Sequence, residues 1–232
     1  MNTNGSQESA RIYQFPAGGR AALGVRRWEE FNSAPAPKFE RVNEAVCSDS
    51  WYHEAAIREA AASPWMEVVS TSREGELRSI ALGRELEVDW LMGGVHVEEA
   101  LGLLAGSRAR YLPFAGRPFG HPTRLGGGAL EVEAQCRALA LKGCAGVDIL
   151  AYRATEAEPL DLVAACRRGF AGGGTIVAAG SVNSPERIAA LRAAGADAFT
   201  IGTAAIEGSY APGCGPVAAQ LAAILADCGA AG

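Results

Sequence analysis

Two carboxylates fall inside stretches that are otherwise apolar, Glu67 in "MEVVST" and Asp148 in "GVDILAYR". Both stretches have the length and residue types of β-strands, and a strand turns alternate side chains to opposite faces. Glu67 therefore shares a face with Val69 and Thr71, and Asp148 shares one with Leu150 and Tyr152. A carboxylate on such a strand needs a partner, water or a metal ion to offset its lost hydration. Glu67 and Asp148 are thus candidates for acid–base chemistry or for holding a divalent cation. The alternative for either is a structural ion pair or a solvated place at a strand end. Asp89, in "EVDWL", stands near a strand start and reads as structural.

The loop "GRPFGHPTRLGGG" gathers three more candidates, Arg117, His121 and Arg124, in a Gly- and Pro-rich segment after a strand. Long loops in compact domains often act as lids or binding loops. Two guanidiniums can grip a carboxylate or phosphate through paired bonds, and an imidazole can move a proton near neutral pH. The competing reading is a solvated connector whose arginines pair with nearby acids. "AYRATEAEP" brings Tyr152, Arg153 and Glu156 to the end of another strand. Arg153 there either joins in binding an anion or organises an ion pair with Asp148 and Glu156. His53 lies on the helix expected near 51–62, and His96, near a helix start, is expected to be exposed rather than a ligand. H-E-x-x-H, G-x-S-x-G and P-loop patterns are absent.

A third constellation lies in "TIVAAGSVNSPERIAALRAAGADAFTIGTAAIEGS", where two short apolar runs each end in Gly plus a hydroxyl residue. Gly180 lets backbone approach a ligand closely, Ser181 adds a hydroxyl, and Gly202 and Thr203 repeat the pair on the next strand. Backbone N–H groups at a helix start bind anions without needing a lysine. In β/α barrels, phosphate commonly sits on the loops after the last two strands. Read alone, each glycine makes a tight turn; read together, the two loops predict a phosphate grip.

These residues need a scaffold. From Pro64 onward, strand-like and helix-like segments alternate six times, beginning with "MEVVST" and "REGELRSIALGREL" and ending with "AFTIGTA" and "VAAQLAAILADCG". Alternating strands and helices argue for a parallel sheet, and short, almost wholly apolar strands fit one covered on both faces. Ser184 before Pro185 is a helix start and Gly195 a helix stop. The glycine triplets at Gly126–Gly128 and Gly172–Gly174 are misplaced for a dinucleotide loop, which follows a strand and opens a helix. The expected fold is therefore α/β, a TIM-type β/α barrel of about six units over 64–232. Residues 1–63 form a loop-rich extension with a helix near 51–62, and "RIYQF" is a short edge strand ended by Pro16.

The segment "AAGSVNSPERIAALRAAGADAFTIGTA" resembles the end of ribulose-phosphate-binding barrels, a superfamily of phosphosugar epimerases, isomerases and orotidine-phosphate-type decarboxylases. "YLPFAGRPFGHPT" and "GCAGVDILAYRATEAEPLDLV" are similar to a bacterial branch of that superfamily of unknown function. The resemblance runs from Pro64 to the end and implies a small phosphorylated sugar or acid as ligand. It leaves isomerase, epimerase and carbon–carbon lyase chemistry open. "ARIYQFPAGGR" and "SWYHEAAI" instead resemble a short bacterial domain of unknown function. Such a barrel has eight strands, so the chain reads as a fusion of that domain with strands three to eight. Two open sheet edges would result, which point to covering by the extension or to pairing with a second copy. A non-catalytic truncated barrel, serving as a binding or assembly module, is the competing functional reading.

Composition narrows the classes further. The 232 residues carry a formal net charge of −5 with 49% apolar and 20% charged residues, enough to bury one large domain. No basic block offers a nucleic-acid footprint, and charges interrupt every apolar stretch before membrane-spanning length. "MNTNGSQESA" lacks the basic and apolar regions of a secretory leader, so a cytoplasmic location is expected. The six cysteines are irregularly spaced without a C-x-x-C pair, which predicts reduced thiols rather than zinc or redox chemistry.

Overall fold

The computed structural model describes residues 64–70 and 72–230; the strand expected in "RIYQF" and the helix expected at 51–62 lie outside them. The chain divides into two units, Met1–Ala62 and Ser63–Gly232, and the described fold is that of the second. It is a mixed α/β structure built on parallel strands. β1 (Trp65–Val68), β2 (Trp90–Gly93) and β3 (Arg110–Leu112) pair in parallel, with Glu67 opposite Met92 and Met92 opposite Leu112. A second parallel set joins β6 (Gly146–Ile149), β7 (Thr175–Ala178) and β8 (Ala198–Phe199).

The two sets meet at Asp148. Its N–H donates to Pro113 O at 2.9 Å, and its carbonyl accepts the N–H of Ala115 at 2.9 Å. A further bond from Ala145 N–H to Tyr111 O, also 2.9 Å, continues the contact. The strands thus follow chain order, as crossover connections require.

Each crossover carries a helix with legible ends. In α1 (Arg73–Glu85), Ser72 Oγ accepts the N–H of Gly75 at 3.1 Å, and Glu74 and Glu76 place negative charge in the first turn. Its buried positions are Glu76, Ile80 and Gly83, one face at helical spacing. A Cβ on Gly83 would stand 2.4 Å from Leu91 Cδ1, so the helix lies directly on β2. Next come α2 (Val97–Leu104), α3 (Ala129–Leu141) and α4 (Pro159–Gly169). In α5 (Pro185–Ala194), Ser184 caps the start and left-handed Gly195 (φ 103°) ends the helix. The chain closes with the short α6 (Thr203–Ile206) and with α7 (Val217–Ala230). Leu91, Leu112, Val147, Ile149, Ile176 and Leu162 are fully or almost fully buried and form the centre of the core. Cys136, Cys144 and Cys166 are buried thiols within it. No described helix is long and apolar enough to cross a membrane.

Two features depart from the expectation. The loop "GRPFGHPTRLGGG" contains an antiparallel hairpin, β4 (Arg117–Phe119) with β5 (Arg124–Gly126). The last strand holds two residues, where "AFTIGTA" promised a longer one. In keeping with the incomplete barrel expected, the sheet does not close among the described residues: β1 pairs only with β2, and β8 only with β7.

Helices α3 and α4 are in tight contact at Gly169, where a Cβ would stand 2.4 Å from Cys136 Cβ and 2.8 Å from Glu133 O. Alanine is a better helix former than glycine by up to about 1 kcal/mol, but overpacking against a backbone oxygen costs about 1–3 kcal/mol. Gly169→Ala is expected to lower stability by about 1–2 kcal/mol, or roughly 2–8 °C in Tm. A raised Tm on thermal unfolding would contradict this helix contact.

Candidate functional site

Parallel strands put their carboxyl ends on one side, and there the sequence candidates converge. A Cβ on Gly83 of α1 would reach both Leu91 and Met66, so Met66 and Leu91 face the helices. By alternation Glu67 and Met92 face the other way, as does Asp148 between Val147 and Ile149. Over this face opens a cleft of about 320 Å³ whose lining includes Glu67, His96, Phe114, His121, Leu150 and Arg153. A second, shallower groove of about 400 Å³ is lined by Arg124, Arg153 and Ser181. Thr123 and Arg153 line both, so Arg153 stands where the two hollows adjoin.

Asp148 is fully buried (0% exposed), and neither carboxyl oxygen has a hydrogen-bond partner among the described residues. Burial pushes its pKa well above the ordinary carboxylate range; the charge of Glu67 pushes the same way, and Arg153 opposes both. Glu67 is half-buried; burial raises its pKa and Arg153 again opposes. Burial and the nearby Glu67 charge both favour the protonated form of Asp148. The position that sequence alone leaves between catalysis and a structural ion pair thus has no ion-pair partner among the described residues.

Arg153 sits in the 3₁₀ turn Ala151–Arg153 that follows β6. Its guanidinium makes no hydrogen bond or ion pair among the described residues. It packs over Gly180, where a Cβ would meet Nε at 2.5 Å; Gly180 also has φ +75°, a conformation that favours glycine. The ion pair expected between Arg153 and Glu156 is absent. Glu156 bonds Arg117 and the N–H of Gly127 instead, at 3.0 and 3.1 Å.

Ser181 is left-handed too (φ 60°), unusual for a residue with a Cβ. Arg187, in the first turn of α5, donates to Ser181 O and stacks over the Tyr152 ring at 4.4 Å, which fixes the loop from behind. The N–H groups of Gly180 to Ser184 and of Ile201 to Ala204 have no acceptor among the described residues. Ala178 of β7 pairs with Phe199 of β8. Ser181 and Gly202 thus stand equally far beyond paired positions on adjacent strands. Gly202 and Thr203 are exposed but line neither hollow.

The hairpin arranges the remaining candidates. Thr155 N–H and Oγ1 both donate to Leu125 O, at 2.9 and 3.1 Å, which docks β5 beside the Arg153 turn. His121, at the exposed hairpin tip, lines the main cleft, and Arg124 lines the groove. Arg117 corrects the sequence expectation. Its guanidinium is paired with Glu131 at 2.5 Å and Glu156 at 3.0 Å, and it lines neither hollow. Among the described residues no group of three His, Cys, Asp or Glu side chains could hold a metal ion. The cation expected on Glu67 and Asp148 would find only those two carboxyls, with a guanidinium beside them.

Sequence reasoning missed Glu76 and His96. Glu76 is buried, its Oε1 accepts the N–H groups of Val95 and His96 at 2.8 Å each, and its Oε2 bonds His96 Nδ1 at 2.9 Å. The available signal was spacing: Glu76, Ile80 and Gly83 share the buried face of α1. His96, expected to be exposed, is only partly so and lines the cleft.

A family model described as "Protein of unknown function (DUF2735)" matches residues 9–61, the segment that resembles such a domain in sequence. No curated protein matches the chain. Among solved structures it is similar to a FabK mutant from Thermotoga maritima, with 16% identity and a TM-score of 0.48 over 66% of this chain and 48% of that one. Unmutated FabK from the same organism gives a TM-score of 0.45 at 16% identity, over 66% of this chain and 45% of that one. A putative deoxyribose-phosphate aldolase from Coccidioides immitis gives 0.31 at 10% identity, over 72% of this chain and 96% of that one. The chain spans about half the length of the FabK structures. Likenesses this distant add nothing to the strand pairing itself.

Because the unfolded chain ionises Asp148 near the ordinary value, the buried acid costs no stability below about pH 4 and progressively more above it, until it ionises in the folded state. Asp148→Asn removes that cost. The variant is expected to match the parent near pH 4 and to exceed it by about 2–4 °C or more at pH 8. Equal Tm differences at both pH values would show that Asp148 is not held protonated.

Proposed function

We propose that this chain is a partial β/α barrel that binds a small phosphorylated sugar or acid across the adjoining hollows and acts on the carbon next to its carbonyl. The observation that carries the reading is Arg153, a half-buried guanidinium without an ion-pair partner among the described residues, packed on Gly180 between the carboxyl pair and the Ser181 loop. A phosphate in the groove would accept from Arg153, Arg124 and the free amides of the Gly180–Ser184 loop, a charge-assisted set of donors. Gly202 and Thr203 extend the same rim from the next strand.

With the phosphate held there, the sugar would lie in the main cleft. Glu67, which lines the cleft and whose pKa burial raises, offers a hydrogen bond to the carbonyl oxygen, with the fully buried Asp148 behind it. Donation to that oxygen favours an enediolate as the adjacent carbon loses its proton. Isomerisation, epimerisation and carbon–carbon cleavage all pass through such a species.

The edges of β1 and β8, unpaired among the described residues, favour a second reading, a non-catalytic module that keeps the grip or assembles through its edges. Turnover of any sugar phosphate that is lost in Glu67→Gln would exclude it.

Calorimetric titration with a panel of sugar phosphates tests the main reading. Arg153→Gln is expected to weaken binding about 10–100-fold, the worth of a charge-assisted contact. Gly202→Asp is expected to weaken it further by like-charge repulsion. Absence of binding by the parent protein to every member of the panel would overturn the proposal.

A further inference from the structure

The cleft contains a second arrangement that the carboxyl pair and the phosphate grip do not use. His96 caps the start of α2 through its backbone, while its ring reaches back to the buried Glu76 of α1. Oε1 of Glu76 is occupied by two backbone N–H groups, and Oε2 by the ring. A Cβ on Gly94 would stand 2.7 Å from Glu76 Oε1 and 3.0 Å from the Tyr111 hydroxyl, so the carboxylate is packed closely on that side. A carboxylate oxygen can only accept, so Nδ1 of His96 meets Oε2 as the donor, which sets the ring orientation and favours the Nδ1–H tautomer. Nε2 then keeps its lone pair, on a ring that lines the cleft shared with Glu67 and Arg153.

From this geometry we infer that His96 is the base of the cleft, taking the carbon-bound proton through Nε2, and that Glu76 is its positioning residue. The inference rests on the sugar-phosphate reading and adds the group that reading lacks. In the step, the C–H bond next to the carbonyl breaks and its electron pair moves into the carbon–carbon bond of an enediol. The carbonyl oxygen takes a proton from Glu67, and the lost proton rides on Nε2. Return of a proton from His96 to either carbon re-forms a carbonyl on the neighbouring carbon, whose O–H gives its proton back to Glu67, with no net redox change. Because Nε2–H equilibrates with water, the sugar carbon exchanges its hydrogen with solvent.

Glu76 also supports the entry to α2, so a purely structural role must be separable. Glu76→Gln does this. The amide oxygen can still accept both backbone N–H groups, but its NH₂ now faces Nδ1 as a donor. The ring must accept there and carry its proton on Nε2, which destroys the base while leaving the helix start intact.

The experiment follows hydrogen exchange into ribulose 5-phosphate and dihydroxyacetone phosphate in deuterated water, with calorimetric affinities and ¹⁵N spectra of the histidine rings. The parent protein should exchange and carry the His96 proton on Nδ1. His96→Gln and Glu76→Gln should each exchange at least about 100-fold more slowly at unchanged affinity, and the His96 proton should move to Nε2 in Glu76→Gln. Undiminished exchange in His96→Gln, binding without exchange by the parent, or a parent ring proton on Nε2 would each overturn the inference. Failure of the parent to bind either probe would count against the sugar-phosphate reading. The ¹⁵N spectra would then decide for the dyad if the proton is on Nδ1, and against it if on Nε2.

Discussion

A carboxylic acid buried without a hydrogen-bond partner is among the costlier arrangements in a protein interior. Among the described residues Asp148 occupies that position at the junction of the two strand sets, and its backbone supplies two of the bonds that join them. The residue cannot move away without separating β3 from β6. Its side chain is therefore held in the interior by the fold, with Glu67 raising its pKa further and Arg153 moderating both. Arg153 in turn keeps its place because Gly180 has no side chain to displace it. The acid pair, the arginine and the glycine loop form one mechanical unit, and the two hollows take their polarity from it.

Much of this scaffold was legible in the residues. Ser184 and Gly195 mark helix ends by chemistry that operates over three or four residues, and the structure uses both as such. The apolar runs locate all six parallel strands because each has enough covered side chains to register. The hairpin β4–β5 escaped because its three-residue strands show no alternation and sit among glycines and prolines. The open sheet is a matter of which strands exist, and the missing pair was legible as a missing pair.

The site divides along the same line. Glu67 and Asp148 announce themselves because a charge on an apolar strand violates a local pattern. Arg153 and Arg117 look alike in sequence and differ only in partners: Glu131 and Glu156 neutralise one, while the other has none among the described residues. Pairing depends on which loops meet, which composition cannot report. Glu76 broke the pattern of its helix face as Glu67 broke that of its strand. An acidic residue in a first helical turn has an ordinary explanation in the helix dipole, so the violation was masked.

The account stands on Arg153 as the junction between an anion grip and an acid pair. A crystal structure of the protein with ribulose 5-phosphate measures this most directly. Phosphate oxygens are predicted on the Arg153 guanidinium and the Gly180–Ser181 amides, with the sugar carbonyl beside Glu67. A ligand bound away from Arg153, or one whose phosphate points into the main cleft and whose sugar lies in the groove, would contradict it.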